Sequence, residues 1–273
     1  MSISSEETVQ RLLSSSRLPP SPILLVVAHF DDEIIGVGGQ LARWAPHTVL
    51  LHVTDSAPPD GIDARAVGFG TAAAYSAARR QETATALNCL PTPFSAMLAL
   101  DVPDRSVTEQ LYDVILALRR LVIAVRPAVI VTHAYEGGHP DHDAIAFAVS
   151  LLRRMPDVPE AGIVDFAAYH EGPSNELVTN RFDDWPAHLL WLSPEMQRLK
   201  RLMFACIRTQ ARVLAAFDCR YESLRPAPRA DFSKAPAGGA VWFERLGWNI
   251  TGERWRLEVE RVARRLAQDG LLS

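Results

Sequence analysis

The sequence has few cysteines, and their spacing argues against both disulfide and zinc–thiolate chemistry. Among 273 residues there are only three, Cys89, Cys206 and Cys219, and no two of them form a Cys-x-x-Cys pair. A disulfide framework uses an even set of cysteines, and thiolate zinc sites use closely spaced pairs. We therefore expect three buried or incidental thiols.

The sequence also lacks an excess of charge and a long apolar run. Its formal net charge is −4, with no long run of one sign, so nothing indicates a nucleic acid or an anionic membrane as a partner. No stretch of about 18 apolar residues is present, and the polar, Ser-rich amino-terminal segment lacks the apolar core of a secretory signal. We expect a cytoplasmic protein without nucleic-acid or membrane partners.

Internal repeats and low-complexity tracts are absent as well, and the length allows one large domain. Alternating strand and helix patterns predict an α/β fold with a mainly parallel sheet, whose core spans about 20–193. A C-terminal extension follows over about 194–273. It is predicted to contain a long helix at 194–217, a Pro-, Gly- and aromatic-rich segment at 218–252 that wraps a surface or forms a substrate mouth, and a last helix at 253–267.

The core elements are predicted from short apolar runs and helical periodicity. The predicted strands lie at about 22–28, 48–54, 94–98, 128–132, 163–169 and 188–191, and the predicted helices lie at about 37–45, 65–88 and up to 125, with one more after His142.

A cluster of polar residues follows the first buried strand. His29, Asp31, Asp32 and Glu33 come directly after 22–28, so they lie at the carboxyl end of a strand, where open α/β sheets bind ligands. An imidazole three residues from a carboxylate suits one metal ion. The alternative is structural, since Asp31 or Asp32 could cap the next helix.

A second cluster follows the strand at 128–132. It contains His133, Tyr135 and Glu136 and then His139-Pro140-Asp141-His142. Two strands that end in His/Asp clusters can bring those clusters together at one edge of a sheet. Imidazole and carboxylate ligands suit a catalytic zinc, which uses three protein ligands and leaves one position for water.

Two further features near these strands are ambiguous. Asp55 ends the strand at 48–54 and either faces the site or forms a turn. The glycines after the first cluster invite comparison with the dinucleotide fingerprint, but Leu41 stands where that fingerprint needs Gly or Ala. We expect these glycines to permit close packing of helix and sheet.

The two clusters together contain the parts of a metal-dependent hydrolase, which needs a bound water, a base and an acid. His29 and Asp32 can bind one ion within a turn, and His142 can supply the third ligand. Asp31 is then left as the base. A protonated His139 could stabilise the oxyanion or protonate the departing amine, with Asp141 close enough to orient an imidazole. Ionised Asp31 and protonated His139 would give a bell-shaped pH profile.

These residues resemble the motifs of the PIG-L/LmbE-like family of zinc-dependent N-acetylglucosaminyl deacetylases. The stretch at 28–33, Ala-His-Phe-Asp-Asp-Glu, is similar to the family's Ala-His-Pro-Asp-Asp-Glu, and the stretch at 139–142 matches its second motif. Arg79-x-x-Glu82 also resembles a recurrent feature. The resemblance covers about 20–170, and the later segment resembles one bacterial branch through Tyr221, Glu222, Arg225, Asp231 and Phe232.

The resemblance implies a Rossmann-like fold and hydrolysis of an N-acetyl group on a glucosamine unit, so the partner would be a small N-acylated sugar or its conjugate. It implies Zn²⁺ on His29, Asp32 and His142, with Fe²⁺ suited to the same ligands. A homo-oligomer is compatible with the family. The same resemblance assigns Asp31 as base, His139 as acid or oxyanion partner, Asp141 as its orienting group and Arg79 as a substrate contact. The alternative for Arg79 is an ion pair with Glu82 or a solvated charge.

Two departures from the family pattern leave questions open. Phe30 replaces the motif's proline, which supplies no ligand, so the metal site should survive with a different turn. Some relatives carry a tyrosine at the position of Gly137, where it assists the oxyanion. Tyr135 or His170 could take that part here, although His170 could equally be structural.

Two other functions compete with deacetylation. One keeps the metal and changes the bond to another amide or an ester. The other is a non-catalytic sugar-binding protein with the same fold. The intact Asp31 argues against pure binding, because binding alone does not need a base.

Overall fold

A seven-stranded sheet forms the centre of the protein, with the strand order β3-β2-β1-β4-β5-β9-β8. This computed structural model describes residues 5–14, 18–182, 187–236, 239 and 241–273. Strands β1 to β5 are parallel to one another, whereas β9 is antiparallel to both of its neighbours, β5 and β8. The strands are β1 (Ile23–Val27), β2 (Thr48–Thr54), β3 (Ala96–Val102), β4 (Val129–His133), β5 (Gly162–Phe166), β6 (Tyr169–Glu171), β7 (Leu177–Thr179), β8 (His188–Trp191) and β9 (Tyr221–Pro226).

The predicted α/β fold with a mainly parallel sheet is confirmed. Strand β1 is an unbroken apolar run and β4 is apolar up to Thr132 and His133; both are buried along their whole length, as expected for central strands covered on both faces. The chain runs from β1 outwards to β2 and β3 and then returns to β4 on the other side of β1. The point between β1 and β4 is therefore the topological switch point, where the carboxyl ends of the strands leave a crevice.

Helices cover both faces of the sheet. Two apolar clusters fill the space between the layers: the first packs α6, α7 and α10 on one face, and the second packs α1, α2, α3 and α8 on the other. The helices are α1 (Ser5–Leu13), α2 (Asp32–Val37), α3 (Leu41–Trp44), α4 (Ile62–Ala66), α5 (Ala72–Leu87), α6 (Leu111–Val125), α7 (Pro140–Leu152), α8 (Pro194–Cys206), α9 (Ala211–Leu214) and α10 (Gly252–Gln268).

Several element boundaries differ from those predicted. The helix expected at 37–45 is divided into α2, which begins inside the first motif, and α3; the helix expected at 65–88 is divided into α4 and α5. The strand expected at 94–98 continues to Val102. The strand expected at 163–169 ends at Phe166, and Tyr169 begins the separate β6–β7 hairpin.

The expected limit of the sheet at 193 is wrong, because the extension supplies β9. This strand lies between β5 and β8 and pairs with both. Its charged residues are buried with partners: Glu222 accepts from Lys200 Nζ at 2.7 Å. Both of those side chains are 0% exposed. The predicted helix at 194–217 ends at Cys206, and the last helix is confirmed as α10.

None of the helices in the described part of the chain is long and apolar enough to cross a membrane.

Candidate metal centre and active site

Both polar clusters lie at the switch point of the sheet. His29 follows the end of β1, His133 is the last residue of β4, and α7 begins at Pro140 beside them. Because β1 and β4 are adjacent and parallel, the two clusters meet as predicted. Seven buried His and Asp side chains form overlapping groups, and within each group the donor atoms lie within 4.8 Å of one another: His29, Asp32, Asp104, His133, His139, Asp141 and His142.

His29, Asp32 and His142 form a triangle of side chains, in which Asp32 faces the two imidazoles through different carboxylate oxygens. His29 Nδ1 lies 3.2 Å from both Asp32 Oδ2 and His142 Nε2, and His142 Nε2 lies 3.3 Å from Asp32 Oδ1. Ligands on a tetrahedral ion at 2.0–2.1 Å stand about 3.3 Å apart. The three side chains therefore fit a small divalent cation such as zinc, and the chain brings together all three of the predicted metal ligands.

His133 belongs to the same cluster, although it was not among the predicted site residues. Its ring stacks on that of His142 with centroids 3.9 Å apart. Its Nε2 accepts the backbone N–H of Ala28 at 3.0 Å, and burial lowers its pKa to about 3. His133 is therefore neutral, and its ring packs against the face of the His142 ring. A histidine at the end of an apolar strand is the sequence pattern that could have predicted His133 as a site residue.

Asp31 occupies the N-cap position of α2 but its side chain makes no capping hydrogen bond. Its carboxylate instead accepts from Arg79 Nη2 at 3.0 Å. Burial raises the pKa of Asp31 to about 7, against the opposing charge of Arg79. Its φ of +149° is a strained value for a non-glycine residue, and such values concentrate at functional sites.

Arg79 is buried among acceptors at the site. Besides Asp31 it donates to the carbonyl oxygen of Ser56 at 2.8 Å. The alternative ion pair with Glu82 is wrong, because Glu82 accepts from the backbone N–H and hydroxyl of Thr209. Arg79 is only 5% exposed, and its described contacts position Asp31.

Phe30 uses the backbone N–H that a proline would lack. This N–H donates to Ser56 Oγ at 2.8 Å. The Phe30 ring packs edge-on against His52 and lies under the guanidinium of Arg80. Ser56 therefore links two parts of the site. Its hydroxyl accepts a hydrogen bond from the turn after β1, and its own carbonyl oxygen accepts one from Arg79.

His139 and Asp141 both lie in the cluster, but their mutual contact differs from the expected one. His139 Nδ1 accepts the backbone N–H of Asp141 at 3.1 Å, which caps α7. The Asp141 carboxylate instead accepts the backbone N–H groups of Arg105 and Val107. It also lies 3.6 Å from His29 Nε2. Burial lowers the pKa of His139 well below its usual value, and the charge on His29 lowers it further.

Asp104 is the second residue of the cluster that was not among the predicted site residues. Its Oδ1 lies 3.0 Å from His29 Nε2 and 3.6 Å from His139 Nε2. It follows the end of β3 by two residues, so it occupies a strand end like the other clusters. The predicted end of that strand at 98 concealed this position.

Three weaker site predictions have different outcomes. The Tyr135 hydroxyl donates to the carbonyl of Lys234, and its ring stacks on Trp255, which leaves this hydroxyl engaged outside the cluster. His170 lies on β6, with Nδ1 3.4 Å from Glu136 Oε2. Asp55 Oδ1 accepts the N–H groups of Ala57 and Asp104, so it forms a turn and also braces a residue of the cluster.

Two aromatic residues border the cluster. The ring of Tyr169 meets His142 edge-on at 5.5 Å, and burial together with the carboxylates of Asp32 and Asp104 raises its pKa well above the usual value. Trp248 meets His139 edge-on at 4.8 Å and covers the guanidinium of Arg105. The aromatic segment of the extension therefore forms part of the site wall, as the sequence suggested.

The fold places a His/Asp cluster that could hold a metal ion in the crevice of an α/β sheet, and a family model matches this part of the chain. Residues 24–152 match the model of the PIG-L family, described as GlcNAc-PI de-N-acetylase. Both motifs lie within this segment. The predicted resemblance is confirmed over residues 24–152, the part of the chain that matches the family model.

Solved structures share the fold at low sequence identity. A deacetylase of teicoplanin biosynthesis, solved as a bog complex, is 20% identical with a TM-score of 0.58, covering 77% of this chain and 98% of that chain. The zinc-inhibited form of teicoplanin deacetylase Orf2 is 18% identical with a TM-score of 0.56 and the same coverage. The N,N'-diacetylchitobiose deacetylase from Pyrococcus horikoshii is 15% identical with a TM-score of 0.50, covering 76% and 83%. Curated proteins give no significant match.

Proposed function

We propose that the protein is a metal-dependent N-deacetylase that removes an acetyl or related acyl group from an amino sugar or its conjugate. The observation that carries the proposal is the triangle of His29, Asp32 and His142 with a separate buried carboxylate, Asp31, beside it. A binding site needs ligands alone, whereas hydrolysis also needs a base that is not bound to the metal. The match of residues 24–152 to the PIG-L family model, described as GlcNAc-PI de-N-acetylase, supports the same reaction.

His29, Asp32 and His142 would hold the metal, and the donor spacing suits Zn²⁺, with Fe²⁺ possible on the same ligands. When bound, the metal supplies Lewis-acid polarisation of the scissile carbonyl and acidification of water. The zinc-inhibited crystal form of a teicoplanin deacetylase supports metal binding at this fold. It also makes the identity of the activating metal a separate question.

Asp31 would take the proton of the attacking water. Its carboxylate is fixed by Arg79, and its raised pKa of about 7 makes it a stronger base than an exposed aspartate once it is ionised. The strained backbone of Asp31 turns its carboxylate away from the helix that it would otherwise cap. Arg79 therefore acts here as a positioning residue for the base, although the family resemblance suggests a substrate contact.

His139 would donate a proton or hydrogen bond to the substrate. Its Nδ1 accepts a backbone N–H, so the neutral ring carries its proton on Nε2, which faces the cluster. The lowered pKa favours this neutral donor over the protonated imidazole expected from the sequence. Nε2–H is suited to the developing oxyanion or the departing nitrogen. Asp141 would fix the turn that carries Arg105, because its carboxylate accepts backbone N–H groups of that turn. The same carboxylate faces His29.

The proposed substrate is a small N-acylated sugar or glycoconjugate. The structural relatives include a deacetylase of teicoplanin biosynthesis and an N,N'-diacetylchitobiose deacetylase. The partly buried Trp248 beside His139 offers an apolar surface for a sugar ring. Neither nucleic acid nor membrane is proposed as a partner.

Two measurements on the purified protein test the proposal. Elemental analysis should find about one metal ion per chain, and Asp32→Ala and His142→Ala should both remove it. Release of acetate from a panel of N-acetylglucosamine conjugates, simple amides and esters should then require Asp31, with Asp31→Asn inactive and the exposed control Asp101→Asn active.

The outcomes separate the alternatives. Turnover of esters or simple amides alone would change the substrate class. Sugar binding without turnover, equal in the parent and in Asp31→Asn, would indicate a non-catalytic binding protein. No metal after zinc is added back would refute the hydrolase.

A further inference from the structure

His29 presents its two ring nitrogens to different groups. Nδ1 lies in the triangle with Asp32 and His142, where a metal ligand needs a free lone pair. The proton of the neutral ring must then sit on Nε2. That nitrogen lies 3.0 Å from Asp104 Oδ1, which is hydrogen-bonding distance.

The backbone delivers Asp104 to this position. Its N–H donates to Asp55 Oδ1 at 3.3 Å, and Asp55 N–H in turn donates to the carbonyl of Val102 at the end of β3. The next residue, Arg105, has a φ of +66° and its guanidinium binds Asp63 and stacks on Trp248. Asp104 is 5% exposed, so its carboxylate is held by a fixed turn away from bulk water.

Asp141 is the competing partner for His29 Nε2, but its geometry is poorer. It lies 3.6 Å away, and its two carboxylate oxygens already accept backbone N–H groups at 2.6 and 3.2 Å. Asp104 has the shorter contact, and the same oxygen also faces His139 Nε2. A single carboxylate is thus shared by the proposed metal ligand and the proposed donor.

We infer that Asp104 is a positioning residue for the metal centre: it accepts the Nε2–H of His29, fixes the tautomer that leaves Nδ1 for the metal, and orients the ring towards Asp32 and His142. Carboxylate partners of this kind raise the basicity of a histidine ligand, and losing one weakens metal binding by about 10- to 100-fold. The inference rests on the proposed metal site and adds a residue that none of the motifs contains.

The test measures Zn²⁺ affinity of the full chain by competition with a chromophoric chelator. Asp104→Ala should weaken binding by about 10- to 100-fold, and Asp104→Asn, which keeps an acceptor oxygen without the charge, should lie between Ala and the parent. Asp101→Asn is the matched control, because Asp101 lies on β3 three residues before Asp104, is exposed and pairs with Arg80. It should bind like the parent.

A second readout excludes a merely structural effect. In ¹⁵N-labelled, Zn²⁺-loaded protein, His29 should give the Nε2–H tautomer in the parent and lose its protected proton signal in Asp104→Ala. Circular dichroism checks that each variant is folded. A folded Asp104→Ala with Zn²⁺ affinity within twofold of the parent overturns the inference.

Deacetylation is not used as a readout, so the two proposals can fail separately. A parent that binds Zn²⁺ tightly but releases no acetate refutes the proposed reaction and leaves the role of Asp104 standing. A parent that binds no Zn²⁺ overturns both.

Discussion

Arg79 and Arg80 are adjacent in sequence but differ in their contacts. Arg79 is buried against Asp31, whereas Arg80 is exposed and pairs with Asp101. The charge of Arg79 lowers the pKa of Asp31, so the base is ionised at a lower pH than burial alone would allow. Arg79 can therefore be tested by substitution, and Arg80 serves as the control for that test.

Arg79→Gln should shift the acidic limb of the pH profile to higher pH. The base is active when ionised, so activity rises with pH through the pKa of Asp31, and losing the cation raises that pKa. Profiles of kcat/KM for the metal-loaded parent and variant measure the shift. Arg80→Gln should leave the limb in place, and equal profiles for all three proteins would contradict the role of Arg79.

Ser56→Ala should destabilise the protein by about 1–3 kcal/mol, because it leaves the buried N–H of Phe30 without its acceptor. A family member with proline at that position has no such N–H, so the dependence on a hydroxyl follows from Phe30. Denaturant unfolding measures the free energy. The exposed Ser233→Ala serves as control, and a cost for Ser56→Ala no larger than that of the control would refute the argument.

Among the elements, the β6–β7 hairpin is set close to the second motif. A Cβ at Gly138 would overlap the carbonyl oxygen of Tyr169, and Glu136 Oε1 accepts the N–H groups of Ala168 and Tyr169. The loop before α7 therefore positions the aromatic ring that meets His142.

Gly138→Ala should force the hairpin away from α7 and cost about 1–3 kcal/mol of stability, as overpacking does. Gly70→Ala is the matched control, since nothing lies within 4 Å of its added Cβ. Thermal unfolding compares the two variants. An unchanged midpoint for Gly138→Ala would show that the hairpin can move without cost.

The elements that the sequence predicted well are those whose burial is local. The strands β1, β2 and β4 are apolar runs, and their polar ends identified the site. Strand β9 was missed because Glu222 and Arg225 make it look exposed, and their burial depends on Lys200 and Asp165 from distant segments. Asp104 was missed because the limits of β3 depend on its pairing with β2, which periodicity does not report.

Over the whole molecule, stability should depend on pH through the buried Asp165. Burial raises its pKa from 3.8 to about 7, against the charges of Arg225 and Arg153. Between about pH 4 and 7 the folded state then binds more protons than the unfolded chain, so this residue's contribution to the free energy of unfolding falls as pH rises.

Asp165→Asn removes that titration, so the stability of the variant relative to the parent should rise over this range, by up to about 4 kcal/mol. Unfolding curves at several pH values give the difference directly, and the exposed Asp113→Asn provides the baseline. A relative stability that is constant or falls with pH would contradict the raised pKa.

The insertion of β9 between β5 and β8 has a consequence for synthesis on the ribosome. Strand β8 is made before β9 but, within the residues that the structure describes, pairs only with it, so neither can join the sheet until residue 226 has been added. At 5–20 residues per second, the 60 residues after Phe166 take roughly 3–12 s. During that interval β5 is an open edge of a nearly complete parallel sheet, and this is when the nascent chain is most exposed to strand-to-strand aggregation.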